Sequence, residues 1–122
     1  MKRSCAAVVL VAAFAWFVSA PAAAHAFLDH AVPAVGSTVH ESPQDIRLRF
    51  TEQLEPAFSH VQVADASGKE IDKGDSHVDA SNASVLAVSV PALPPGKYRV
   101  QWRVVSVDTH VTEGDFTFEI EP

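Results

Sequence analysis

The chain has 122 residues and carries nine basic against 15 acidic residues, a formal net charge of −6. That length fits one small domain. The charge balance excludes the basic surface on which nucleic-acid binding rests, and a single cysteine excludes an internal disulfide framework.

The first element is a targeting signal. Met1-Lys2-Arg3 is a short positive start, and Val8 to Val18 (VVLVAAFAWFV) is apolar and uncharged. About 20 residues are needed to span a bilayer as a helix, and this run is well short of that. The small residues Ser19 to Ala24 follow, so the stretch reads as a secretory signal peptide with an A-x-A cleavage site. Cys5 precedes the apolar run, the wrong side for a lipoprotein cysteine. The expected organisation is therefore residues 1–24 as a cleaved signal peptide and 25–122 as one exported domain. A cut after Ala26 would instead start the chain at Phe27. Removing 24 of the 122 residues leaves 98, with seven basic and 15 acidic residues, no cysteine and no methionine. A domain of that size without disulfides relies on its core alone.

The rest of the chain is patterned as strands, and no transmembrane stretch follows. Ile46, Leu48 and Phe50 alternate with Arg47 and Arg49, the period of a half-buried strand. Phe58 to Ala64 repeats the alternation, with Val61 and Val63 inward and His60 and Gln62 outward. Asp65 to Gly68 reads as a turn, Lys69 to Ile71 as a short returning strand, and Asp72 to Asn82 (DKGDSHVDASN) as an exposed polar loop. Ser84 to Val90 is the next strand, and Pro91 to Gly96 (PALPPG) is a loop, since consecutive prolines cannot donate to a ladder. Tyr98, Val100, Trp102 and Val104 mark the longest strand, with Trp102 expected in the core; Phe116, Phe118 and Ile120 mark the last. About seven short strands without a helical period predict an all-β fold, a Greek-key barrel or two-sheet sandwich.

Enzymatic signatures are lacking: the chain has no G-x-S-x-G, no H-E-x-x-H and no P-loop. Of the histidines, His30, His40, His60 and His77 read as ordinary surface or turn residues, though Asp75 and Asp79 flank His77. Asp108-Thr109-His110 differs, because residues i and i+2 of an extended segment point to the same side. A carboxylate and an imidazole there can meet one metal ion or each other. His25 differs too. After a cut behind Ala24 it is residue one, and its free amine and imidazole form a chelate from a single residue. With Asp108 and His110 the set becomes three nitrogens and one oxygen. Tetragonal N,O sites favour Cu(II), which also tops the affinity series of divalent first-row metals; zinc accepts such donors but prefers a tetrahedron.

Taken in order, "HAFLDHAVPAVGSTV", "IRLRFTEQLEPAFS", "LPPGKYRVQWRVVSVDTH" and "TEGDFTFEI" resemble the CopC family of periplasmic copper-binding proteins across the whole mature chain. The resemblance implies a small cupredoxin-like or immunoglobulin-like Greek-key fold. It implies His25, Asp108 and His110 as ligands of one Cu(II). It also implies that Glu52 lies close to the copper, orienting a ligand or holding a hydrogen bond to the amine; a solvated strand-end charge is the plain alternative. Two departures narrow the reading. Some members hold Cu(I) in a methionine-rich loop, for which this mature chain has no methionine. Many have histidine at mature position three, where this chain has Phe27. The resemblance implies a periplasmic copper carrier, chaperone or buffer in copper resistance or uptake, not an enzyme, with a CopD-type membrane copper transporter as a separate partner chain. The rival readings are an oxidative copper enzyme of the histidine-brace kind and a metal-free immunoglobulin-like interaction module.

Overall fold

A computed structural model describes residues 26–122; the stretch expected to be a signal peptide, and His25, lie outside the described residues. The fold is all-β, as expected. Among the described residues, eight strands form two sheets: β1 (Leu28–Val32), β2 (Thr38–Val39), β3 (Asp45–Phe50), β4 (His60–Asp65), β5 (His77–Asp79), β6 (Asn82–Ser89), β7 (Gly96–Val105) and β8 (Val111–Ile120). One sheet has the order β1-β3-β6-β5 and the other β2-β8-β7-β4. All pairs are antiparallel except β2 with β8. Among the described residues no helix is long and apolar enough to cross a membrane.

The alternation seen in the sequence builds the core between the sheets. Ile46, Leu48 and Phe50 of β3 meet Val61 and Val63 of β4, Val100 and Val104 of β7, and Phe116, Phe118 and Ile120 of β8, all buried. Each such side chain contributes roughly 1.5–3 kcal/mol when fully buried. In β6, Val85 and Ala87 face outward yet are buried too. Their partners across the ladder are Arg49 and Arg47, whose aliphatic stems lie alongside while their heads pair with Asp29 and Asp79.

Three expectations about where strands and loops fall between β3 and β6 change. The polar stretch Asp72 to Asn82 is not simply a loop, for it contains β5 and protects an edge. Asp72 Oδ2 accepts the Val63 N–H at 2.8 Å and Ser76 Oγ accepts that of Val61 at 2.9 Å. The free edge of β4 is thereby closed to other chains. Lys69 to Ile71 makes a single bridge, Ala64 to Glu70, rather than a strand. Phe58 does not open β4: it ends a 3-10 turn, Pro56–Phe58, and is 67 % exposed.

Trp102 packs against the core but stays half-buried. Its indole meets Phe50 edge-on at 6.0 Å and Phe116 at 6.1 Å. Gly114 is its partner on β8, and a Cβ there would lie 2.3 Å from Trp102 Cζ2. The glycine is therefore a seat for the ring. Gly114→Ala should destabilise the fold by about 1–3 kcal/mol, the cost of overpacking, read as a lower midpoint in urea unfolding followed by tryptophan fluorescence. An unchanged midpoint would show that the indole moves aside freely.

Candidate metal centre

Three segments converge at one end of the sandwich. The β7–β8 hairpin is paired out to Val105 and Val111, so Ser106 to His110 form its tip. The tip closes on itself: the Ser106 N–H donates to the His110 carbonyl at 2.9 Å and the Thr109 N–H to the Ser106 carbonyl at 2.8 Å. Thr109 takes φ = +72°, unusual for a β-branched residue, and its hydroxyl donates to the Asp108 carbonyl at 2.6 Å. The segment is thus a tight turn, where an extended one was expected, and it still brings the pair together. Asp108 Oδ2 lies 3.2 Å from His110 Nδ1, both side chains about two-fifths exposed.

Ser106 is the residue that sequence reasoning missed. It is fully buried. Its hydroxyl donates to Asp108 Oδ1 and accepts the His110 N–H at 3.3 Å. One buried hydroxyl therefore orients the carboxylate and tethers the histidine backbone. The Ser106 hydrogen bond, reinforced by His110 against a smaller opposing effect of burial, holds the Asp108 carboxyl below the usual range. A serine two positions ahead of an aspartate carries no signal by itself, since its role exists only once the turn has closed.

The second segment follows β3. Leu54 is buried and bridges to Ser106, the Val107 N–H donates to the Gln53 carbonyl at 3.0 Å, and the Glu55 N–H to the Val105 carbonyl at 2.7 Å. Glu52, half-buried, sits in this segment. Among the described residues, no three His, Cys, Asp or Glu side chains come close enough together to hold a metal ion.

The third segment is the start of the described chain. Ala26 is buried, and its carbonyl accepts the Thr112 hydroxyl at 2.8 Å. The Phe27 N–H donates to Thr51 Oγ1 at 3.0 Å, and its carbonyl accepts the Thr51 N–H at 2.9 Å. Ala26 and Phe27 are thereby tied to Thr51, one residue before Glu52, and to Thr112, two residues after His110. His30, His40, His60 and His77 are all exposed, as expected of surface residues.

These features define a class: a small two-sheet β-sandwich that presents a carboxylate–imidazole pair, donors suited to a divalent metal, at one end. Comparison with known proteins gives the family. The CopC domain model matches residues 28–121, and the chain belongs to the CopC family of copper resistance proteins. It is 36 % identical over 99 residues to Protein YobA of Escherichia coli K12, covering 80 % of each chain. It is 27 % identical over 121 residues to the copper transport protein CutJ of Bacillus subtilis, where 98 % of this chain matches 22 % of CutJ. The crystal structure of CopC from Methylosinus trichosporium OB3b superimposes with a TM-score of 0.75 at 36 % identity, covering 80 % of this chain and 95 % of that one. PcoC from Escherichia coli, described as a methionine-rich copper resistance protein, superimposes with a TM-score of 0.71 at 32 % identity, covering 80 % of this chain and all of PcoC.

Proposed function

We propose that the chain is exported to the periplasm, loses residues 1–24, and then binds one Cu(II) through the amine and imidazole of His25 together with Asp108 and His110. It serves as a copper carrier, chaperone or buffer and not as an enzyme. A CopD-type membrane transporter is its exchange partner. The observation that carries this reading is the anchoring of Ala26. A neighbouring Cα is about 3.8 Å away along the chain, so the residue before Ala26 starts from a point tied beside the Asp108–His110 turn. Asp108 and His110 alone are too few donors for a tight site, and a residue that brings two nitrogens completes the set.

The donor chemistry selects the oxidation state. An anionic oxygen and nitrogens favour Cu(II), whereas Cu(I) prefers thioether and thiolate. Met1 and Cys5 are the only methionine and cysteine, and both precede residue 25. PcoC is described as methionine-rich; the mature form proposed here has no methionine. A carboxylate ligand also disfavours the Cu(I) state that oxygen activation requires, which supports a binding role over an oxidative one.

The test is a Cu(II) titration of the form that begins at His25, followed by electron paramagnetic resonance. The expected result is one equivalent bound with a tetragonal spectrum. His110→Ala should weaken binding by ~100-fold or more, beyond the 10- to 100-fold typical of losing a mere supporting contact. His77→Ala, on the exposed edge strand β5, should leave binding unchanged. The reverse pattern would move the site to the β5 segment.

A further inference from the structure

Among the described residues, six large apolar side chains are strongly exposed: Phe27, Val32, Val35, Phe58, Val107 and Val111. Single exposed apolar residues are ordinary, but a group of them marks an interaction surface. Val32 and Val35 lie at the far end of the sandwich, where β1 finishes. The other four lie at the end that carries the Asp108–His110 turn. Val107 and Val111 flank that pair in the chain. Phe58 precedes Ser59, whose hydroxyl bonds both the N–H and the carbonyl of Val105, and Val105 pairs with Val111.

Apart from His110, the ionisable side chains of the two segments at this end are acidic. The segments 50–59 and 104–112 carry Glu52, Glu55 and Asp108 and no lysine or arginine. The nearest cations are already paired, Arg103 with Glu113 at 3.0 Å and Arg49 with Asp29 at 3.1 Å. An apolar patch among carboxylates repels an anionic lipid surface and suits a protein face that is apolar with a basic rim. The occupant follows from where such a domain is found: in CutJ the matching region is about a fifth of a copper transport protein, so there the domain is covalently part of its transporter.

We propose that this end, built from Phe58, Val107 and Val111 around Asp108, is the docking surface through which a separate copper-transporting polypeptide with a basic-rimmed apolar face takes up or hands over the metal. This rests on the Cu(II) site proposed above, because the same face then holds the cargo. A patch of so few side chains makes a small, transient interface, as repeated exchange requires.

The test uses the CopD-type transporter of the same organism in nanodiscs, with empty nanodiscs of the same lipid as the second probe. Phe58→Ser, Val107→Thr and Val111→Thr are made singly and together, with Val32→Thr and Val35→Thr as far-end controls. Each protein is titrated with Cu(II) and then with each probe at low and high salt. The combined end-face variant should take up one Cu(II) with unchanged affinity, yet bind the transporter about 10-fold or more weakly, the loss typical of interface anchors. The controls should match the unmodified chain, and salt should weaken binding, as it does for charge-steered contacts. Equal transporter binding by the end-face variant overturns the proposal. So does an unmodified chain that binds empty nanodiscs as well as loaded ones, which would make the patch a lipid contact, or one that binds neither probe. A chain that docks as expected but takes up no Cu(II) counts against the metal site alone.

Discussion

A chain that keeps one extra residue ahead of His25 binds Cu(II) at least about 100-fold more weakly than one that begins at His25. The extra residue converts the amine into an amide, which removes one donor and the chelate it forms with the imidazole. The fold gives little room to compensate. Ala26 is 1 % exposed, its carbonyl is held by Thr112, and the next residue is held on both backbone groups by Thr51. The added residue cannot be absorbed by sliding the strand, because a one-residue slip would turn Ala26 out of its pocket and break the pairing of β1 with β3. The extension should therefore leave thermal unfolding of the metal-free protein unchanged. A start at Phe27, the product of the alternative cleavage, behaves differently. It loses both nitrogens of His25 and also Ala26 itself, leaving the Thr112 hydroxyl without its acceptor and a buried slot unfilled. That form should bind Cu(II) no better than the bare Asp108–His110 pair and should lose about 1–2 kcal/mol of stability, one hydrogen bond plus one methyl. Titration and thermal melts on three forms, with starts checked by intact mass, separate these cases. Equal copper affinity in the extended form would remove the amine from the site.

Where one face of a strand is wet and the other dry, the sequence carries the strand openly. The Arg47 and Arg49 alternation in β3, the valines of β4 and the aromatic rows of β7 and β8 are of that kind. β1 was hidden, because a register shift between Leu28 and His30 breaks its alternation. β5 was hidden for another reason: three residues with exposed His77 at the front cannot be told from the polar stretch around them. Trp102, expected in the core and found half-buried against it, shows the limit of reading one strand at a time, since its close packing over Gly114 is a contact between strands. At the site, Asp108 and His110 were legible as a spaced pair. Ser106, Thr51 and Thr112, which hold that pair and the residues leading into β1 in place, were not. Each acts across a turn or between strands, and such contacts leave no periodicity in the chain.

Cu(II) affinity of the processed protein falls by more than about one power of ten between pH 7 and pH 5. In short peptides an α-amine keeps its proton up to about pH 8 and an imidazole up to about pH 6.5, and a metal must displace those protons to bind. Every nitrogen donor that takes up a proton in this window costs the site affinity, so a site of amine and imidazole nitrogens loses copper where a site of carboxylates keeps it. Asp108 works in the other direction. The Ser106 hydroxyl holds its carboxyl below the ordinary range, so it stays ionised throughout this window and adds nothing to the loss. The fold is not the cause either. Asp65, Asp75, Asp79 and Asp108 are all held below their ordinary values by hydrogen bonds in the folded chain. A depressed carboxyl contributes stability that is present above its unfolded pKa and is lost only as pH falls through the lower folded value. That loss begins below about pH 4, under the window in which copper leaves. Competition titrations against a chelator at several pH values, with unfolding curves at each, distinguish the two effects. A fall of one power of ten or less at constant stability would mean that oxygen donors hold the metal, and the nitrogens assigned to His25 and His110 would have to be given up.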